Sequence, residues 1–174
     1  PLGYVVERLG VVPLAPVADT EDFTVFGDGQ GPRFRRCENF TSATGCNWMV
    51  PAPASGDPSD ARRDNGLLPG MCLACSTTRT IPDLSVPENP QRWNRLEQSK
   101  RRLLSQLLAL GLPVTTRVQD PERGLAFDFL SELPGQQVLT GHAAGTITLN
   151  VAEADDSVRE QVRAQMREPY RTLL

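Results

Sequence analysis

The sequence predicts an α+β fold: an irregular, cysteine-bearing N-terminal region, then a helix, a small antiparallel sheet and a second helix. Three observations predict it. Residues 90–110 repeat apolar side chains at helical spacing. Residues 146–151 alternate apolar and polar side chains, the period of a half-buried strand. Residues 1–82 hold all four cysteines among short apolar runs and frequent turn residues, with little periodic apolar material for a core of their own.

In the first region, Tyr4-Val5-Val6 and Val11-Val12-Pro13-Leu14 are too short for helices. Thr24-Val25-Phe26 followed by Gly27-Asp28-Gly29 reads as a strand ending in a turn. Residues 52–70 collect Pro, Ser, Gly and Asp and read as a mobile surface loop. The chain thus divides into residues 1–82, with that loop inside them, and residues 83–174.

The second region begins with the clearer signals. Asn89-Pro90 reads as an N-cap followed by Pro at the first helical position. Trp93, Leu96, Leu103, Leu107 and Leu110 form the apolar stripe, widened by Leu104 and Leu108. Arg92, Arg95, Arg101 and Arg102 fall mainly on the other side and read as a solvated face. Gly111 and Pro113 end the helix. Residues 124–151 read as a small antiparallel sheet, with Ile147, Leu149 and Val151 on one face of its last strand. Ala154-Asp155-Asp156-Ser157 opens the second helix, its acidic residues suited to the positive helix end. Val158, Val162 and Met166 mark its apolar face, and Pro169 breaks it. Tyr170 to Leu174 read as a first turn of further helix. With Pro1 standing where an initiator Met is usual, both ends read as cut.

Composition excludes several functions. Among 174 residues there is one His, which rules out any site needing two inside this chain. No run of about 18 apolar residues exists, so no membrane-spanning helix is expected. No export signal is visible, so a cytoplasmic location is expected. The formal net charge of −3 argues against broad nucleic-acid binding.

The cysteines carry the chemistry. Cys37 and Cys46 are separated by eight residues; 25 residues later come Cys72 and Cys75, separated by two. A Cys-x2-Cys turn aims two sulfurs at one point, and a second pair beside it completes a tetrahedron around Zn²⁺. Four thiolates leave no open position, so such a site is structural, and its binding energy stands in for the missing core. Two disulfides, which need an oxidising compartment, and free buried thiols are the alternatives.

Other residues have two readings each. His142 lies in a turn, as a surface residue or as support for a site elsewhere. Asp155 and Asp156 stabilise a helix N-terminus or form an acid–base pair. Trp48 and Trp93 pack, or mark a binding surface. The strand at 146–150 is buried in the sheet, or offers an edge to an extended peptide. Arg33, Arg35, Arg36, Arg62 and Arg63 support a rival reading of the first region as a module that binds nucleic acid or a protein partner.

Several runs then form a set. They are Cys46-Asn47-Trp48-Met49-Val50-Pro51, Cys72-Leu73-Ala74-Cys75 with Ser76-Thr77-Thr78-Arg79-Thr80-Ile81-Pro82-Asp83-Leu84-Ser85, and Arg101-Arg102-Leu103-Leu104. Asp120-Pro121-Glu122-Arg123-Gly124-Leu125-Ala126-Phe127-Asp128-Phe129 follows, then Thr140-Gly141-His142, Ile147-Thr148-Leu149-Asn150, Ala152-Glu153-Ala154-Asp155-Asp156 and Glu168-Pro169-Tyr170-Arg171-Thr172-Leu173-Leu174. In this order they resemble a family of putative bacterial zinc-binding metallopeptidases over nearly the whole chain. The resemblance implies a zinc-ribbon region holding Cys37, Cys46, Cys72 and Cys75, then the N-terminal part of a peptidase-like domain in residues 83–174. It also implies that Ile147 to Asn150 form a strand close to an active-site helix, and that the parent protein acts on a peptide or protein. The family's first Cys-x2-Cys knuckles and its HExxH motif, whose two His bind Zn²⁺, have no counterpart here. The expectation is therefore a fragment with structural zinc only, no catalytic residue and no activity of its own.

Overall fold

The computed structural model describes residues 1–29, 31–52 and 66–165, without the side chain of Gln165. Most of the loop expected at 52–70, Arg62, Arg63, Met166, Pro169 and the helical turn expected at 170–174 lie outside the described residues.

The N-terminal region is more regular than its sequence suggests. Five short strands, β1 (Leu2–Val5), β2 (Gly10–Pro16), β3 (Phe23–Val25), β4 (Phe34–Arg36) and β5 (Met49–Pro51), form an antiparallel sheet in chain order. Strands this brief, punctuated by Pro13, Pro16 and Pro51, show too few alternations to be read as a period. The last strand curls back to the first. Tyr4 N–H donates to Asn47 O at 2.9 Å, and Tyr4 and Trp48 form a parallel bridge. Val5, Leu14, Val25, Phe34 and Met49 fill one face of this sheet.

The chain continues through α1 (Leu73–Ser76), β6 (Thr78–Thr80), α2 (Asn89–Ala109), β7 (Ala126–Leu130), β8 (Gly141–Ala143), β9 (Thr146–Asn150) and α3 (Asp156–Gln165). The second sheet has the order β6-β7-β9-β8. The fold class is α+β, as expected, and one antiparallel pair of the expected sheet is present, β8 with β9, although β8 is formed by Gly141–Ala143, so His142, expected in a turn, stands on a strand. The rest of that sheet is corrected: β7 runs parallel to β9, and β6 runs parallel to β7. Parallel neighbours need a long crossover, which α2 supplies between β6 and β7 and residues 131–145 supply between β7 and β9. β9 is therefore a central strand, so of the two readings of residues 146–150 burial in the sheet holds, and among the described residues the edges of this sheet are β6 and β8.

α2 runs within one residue of the helix expected at 90–110. Pro90 stands in its first turn, where a missing N–H costs nothing. Asn89 is not the cap acceptor; its side chain donates to Asp83 O at 2.8 Å and Ser131 Oγ at 2.9 Å. Gly111, at φ +72°, ends the helix with its N–H on Leu108 O at 2.9 Å. The expected stripe is only partly buried. Trp93 and Leu104 are core residues, but Leu103 and Leu110 are exposed. Their places are taken by Glu97, Lys100 and Arg101, at 1%, 3% and 7% exposure. Arg101 is thus not on a solvated face. Arg92 and Arg95 are not simply solvated either: both pair with Asp155, at 2.7 and 3.6 Å. No helix among the described residues is long and apolar enough to cross a membrane.

Candidate metal centre

Cys37 follows β4 and caps the short 3-10 turn Glu38–Phe40. Cys46 closes the loop that precedes β5, with its N–H on Asn39 O at 3.0 Å. Cys72 caps α1, and its sulfur accepts the Cys75 N–H at 3.5 Å. That single turn of helix places Cys75 beside it. The approach to Cys72 runs through Gly70, at φ +68°, which itself lies against the Cys37 turn. Gly70 O accepts the Glu38 N–H at 2.9 Å. A side chain at Gly70 would run into the Glu38 carboxylate.

All four sulfurs lie within 4.8 Å of one another, and those of Cys46 and Cys72 are 3.6 Å apart. A tetrahedral zinc with sulfurs at 2.3 Å requires sulfur–sulfur distances of about 3.8 Å. The arrangement is therefore close to one that a single Zn²⁺ spans, and no disulfide joins any of the four. Backbone N–H groups already aim at the sulfurs. Besides Cys75 N–H on Cys72, the Cys72 N–H donates to Cys37 Sγ at 3.4 Å. Such donors orient metal ligands and stabilise their thiolates.

Burial sets the electrostatics. The four cysteines are 0–3% exposed, enclosed by Tyr4, Trp48, Ala74 and Leu104. Burial above all pushes the Cys72 thiol up, with hydrogen bonds to the other three in the same direction. Hydrogen bonds from Cys46, then Cys72 and Cys75, hold Cys37 down. A buried cluster of this kind ionises one sulfur at the expense of its neighbours, and four thiolates together require a cation between them.

The remaining candidates are dispersed. Trp48 stacks on Tyr4 with ring centroids 4.1 Å apart beside the cysteines, and Trp93 packs on Phe127, Phe129 and Val151, so both are packing residues. Asp155 joins α2 to the start of α3 through Arg92 and Arg95, and Asp156 pairs with Arg159 at 2.7 Å; they do not face each other as an acid–base pair. His142 is exposed on β8 and borders an open groove of about 400 Å³ lined by Leu125, Thr140, Gly141, Gly145 and Ile147. Three of the arginines behind the rival reading, Arg33, Arg35 and Arg36, are engaged within the fold. Arg35 Nε holds Asp22 at 2.6 Å, Arg33 lies 4.0 Å from the same carboxylate, and the Arg36 guanidinium sits 3.9 Å over the Phe40 ring.

The sequence reading missed the residues of α2 that hold the loop before Cys46. Asn94 Nδ2 donates to Ala43 O at 2.6 Å, and Arg101 Nη2 donates to Thr44 O at 3.0 Å, both in the loop ahead of Cys46. Nothing local signals these two contacts; Glu97, Lys100 and Arg101, an i, i+3, i+4 group containing the chain's single lysine, read equally well as an exposed charge row.

Comparison with known proteins agrees with this arrangement. Residues 1–86 match a family described as a zinc-ribbon domain, and residues 89–174 match one described as a putative zinc-binding metallo-peptidase. The chain is 37% identical over 173 residues to uncharacterized proteins of Mycobacterium bovis and of two Mycobacterium tuberculosis strains. The match covers 99% of this chain and 42% of each relative, so the chain spans about two-fifths of the length of the curated relatives it matches. No solved structure matches it.

Proposed function

From the match of residues 1–86 to a zinc-ribbon domain and of residues 89–174 to the putative zinc-binding metallo-peptidase family, we propose that Cys37, Cys46, Cys72 and Cys75 hold one structural Zn²⁺ for a peptide-cleaving protein. The observation that carries this reading is the closed set of four buried sulfurs within 4.8 Å of one another. With four protein ligands no coordination position is left for water or substrate, so the ion folds the region and performs no hydrolysis.

Peptide hydrolysis belongs, in this reading, to the longer protein. A zinc peptidase of the two-histidine type needs both imidazoles on one helix face with a Glu beside them, and these 174 residues contain one His. They act as a fragment without activity of their own. The substrate class that fits is an extended peptide, and the free edge of β8 beside the groove at His142 is where such a segment would add as a strand.

Native mass spectrometry of the 174-residue chain tests the metal assignment. One bound zinc and four reduced cysteines are expected; no zinc with two S–S bonds overturns it. A peptide-library assay tests the rest. The chain alone is expected to cleave nothing at any added zinc concentration, and reproducible chelator-sensitive cleavage by it contradicts the fragment reading.

A further inference from the structure

α2 contains three buried charges that the zinc reading leaves without a role. Glu97 Oε1 accepts from Thr78 Oγ1 of β6 at 2.7 Å and from Lys100 Nζ at 2.9 Å. Lys100 Nζ also contacts Thr78 Oγ1 and lies 5.5 and 5.6 Å from the Phe127 and Phe129 rings of β7. Arg101 Nη1 stands 3.9 Å from Glu97 Oε2, and both atoms are buried without a hydrogen bond. The other arm of the same guanidinium holds Thr44 O, two residues before Cys46.

Burying ionic groups is costly unless something repays it, and one carboxylate against two cations leaves one positive charge uncompensated. The cysteine centre supplies what is missing. Four thiolates around a divalent cation carry two surplus negative charges. Leu104, one turn beyond Arg101 on α2, is fully buried within the cysteine cluster, and the guanidinium itself reaches the loop that carries Cys46. A hydrophobic replacement would suit a neutral core better; a buried cation suits an anionic one.

We propose that Arg101 is a positioning residue for the metal centre, holding the Cys46 loop by Thr44 O, and that the Glu97–Lys100–Arg101 row couples metal occupancy to the second sheet. The inference rests on the zinc reading. Linkage makes the coupling reciprocal: the loaded centre tightens the row against β6 and β7, and the row tightens the centre's grip on zinc.

Zinc affinity of the full 174-residue chain, measured by competition with a chromophoric chelator, tests it. Arg101→Met is expected to weaken zinc binding about 10- to 100-fold, the range for groups that orient metal ligands. Arg101→Lys, which keeps the charge but loses the fork, recovers part of that loss. Arg102→Met, at the exposed neighbouring position, leaves affinity unchanged. Equal zinc affinity in folded Arg101→Met and wild type overturns the positioning role. Equal losses in Arg101→Met and Arg102→Met overturn it as well. Hydrogen exchange of the wild type needs no variant. Stripping the metal is expected to speed exchange of β6 and β7 amides as well as those of β4 and β5, and unchanged protection in β6 and β7 overturns the coupling. If the wild type binds no zinc at all, the zinc reading fails and this inference fails with it.

Discussion

Two cores pack against the same helix and are built on different terms. Around the last turns of α2 lies the cysteine core, where Leu104 meets four sulfurs, Trp48, Tyr4 and Ala74. Around its first turns lies the aromatic core, where Trp93 meets Phe127, Phe129 and Val151. The aromatic core gains stability by removing carbon from water and needs no further component. The cysteine core encloses polarizable, ionisable groups whose best state is charged, so its stability waits on a cation. A region with short strands can dispense with a large apolar core only if something else supplies the free energy, and here four sulfurs are placed to do it.

The largest effect that separates the two is loss of a sulfur. Structural zinc supplies an apparent 10–16 kcal/mol or about that in small domains. Cys72→Ser is therefore expected to abolish tight zinc binding and the slow hydrogen exchange of β4 and β5. Retention of both by the variant would erase the distinction between the cores. Next comes Phe129, fully buried on β7. Phe129→Ala is expected to cost about 3–5 kcal/mol in a urea titration, while native mass still shows one zinc per chain. Loss of zinc stoichiometry would mean that the aromatic core, too, is needed to assemble the sulfurs.

A smaller effect lies at the edge of the aromatic core. Arg79 on β6 holds Asp128 on β7 with Nε at 2.9 Å from Oδ1 and Nη2 on Oδ2. Hydrogen bonding from Arg79 is the main cause that holds the Asp128 carboxyl below its ordinary value of 3.8, against an opposing push from burial. A carboxyl depressed in the folded state stabilises above its unfolded value and loses that contribution as pH falls through the folded one. Wild type should thus lose stability more steeply than Asp128→Asn below about pH 4; parallel acid limbs in chemical denaturation would show that the pair contributes nothing. The smallest effect is expected on α3, where Arg159 and Asp156 pair at 2.7 Å with side chains 43% and 86% exposed. Arg159→Ala should change stability by no more than about 0.5 kcal/mol in the same titration.

Much of this was legible beforehand, for physical reasons. α2 announces itself because 21 residues give several turns of period, a start at Asn89-Pro90 and a stop at Gly111. β9 is legible because its alternation is unbroken from Thr146 to Asn150. The cysteine set is legible because Cys-x2-Cys is a local geometry. Ser76-Thr77-Thr78-Arg79-Thr80, by contrast, has no apolar alternation, yet Thr78 to Thr80 join the second sheet as β6. Arg101 reads as a surface residue by hydropathy, because nothing local shows that Thr44 O awaits it across 57 residues of sequence.

The α+β class, the long helix, the strand β9 and the four candidate ligands were thus in the sequence, because the helix, the strand and the Cys-x2-Cys turn rest on interactions within a few residues. The tertiary structure alone decided that β7 lies parallel to β9, that β9 is central, that Glu97, Lys100 and Arg101 are buried, and that one helix serves both cores. Strand pairing and the burial of charge depend on partners far along the chain, and a charged side chain is stable inside only where distant groups happen to meet it.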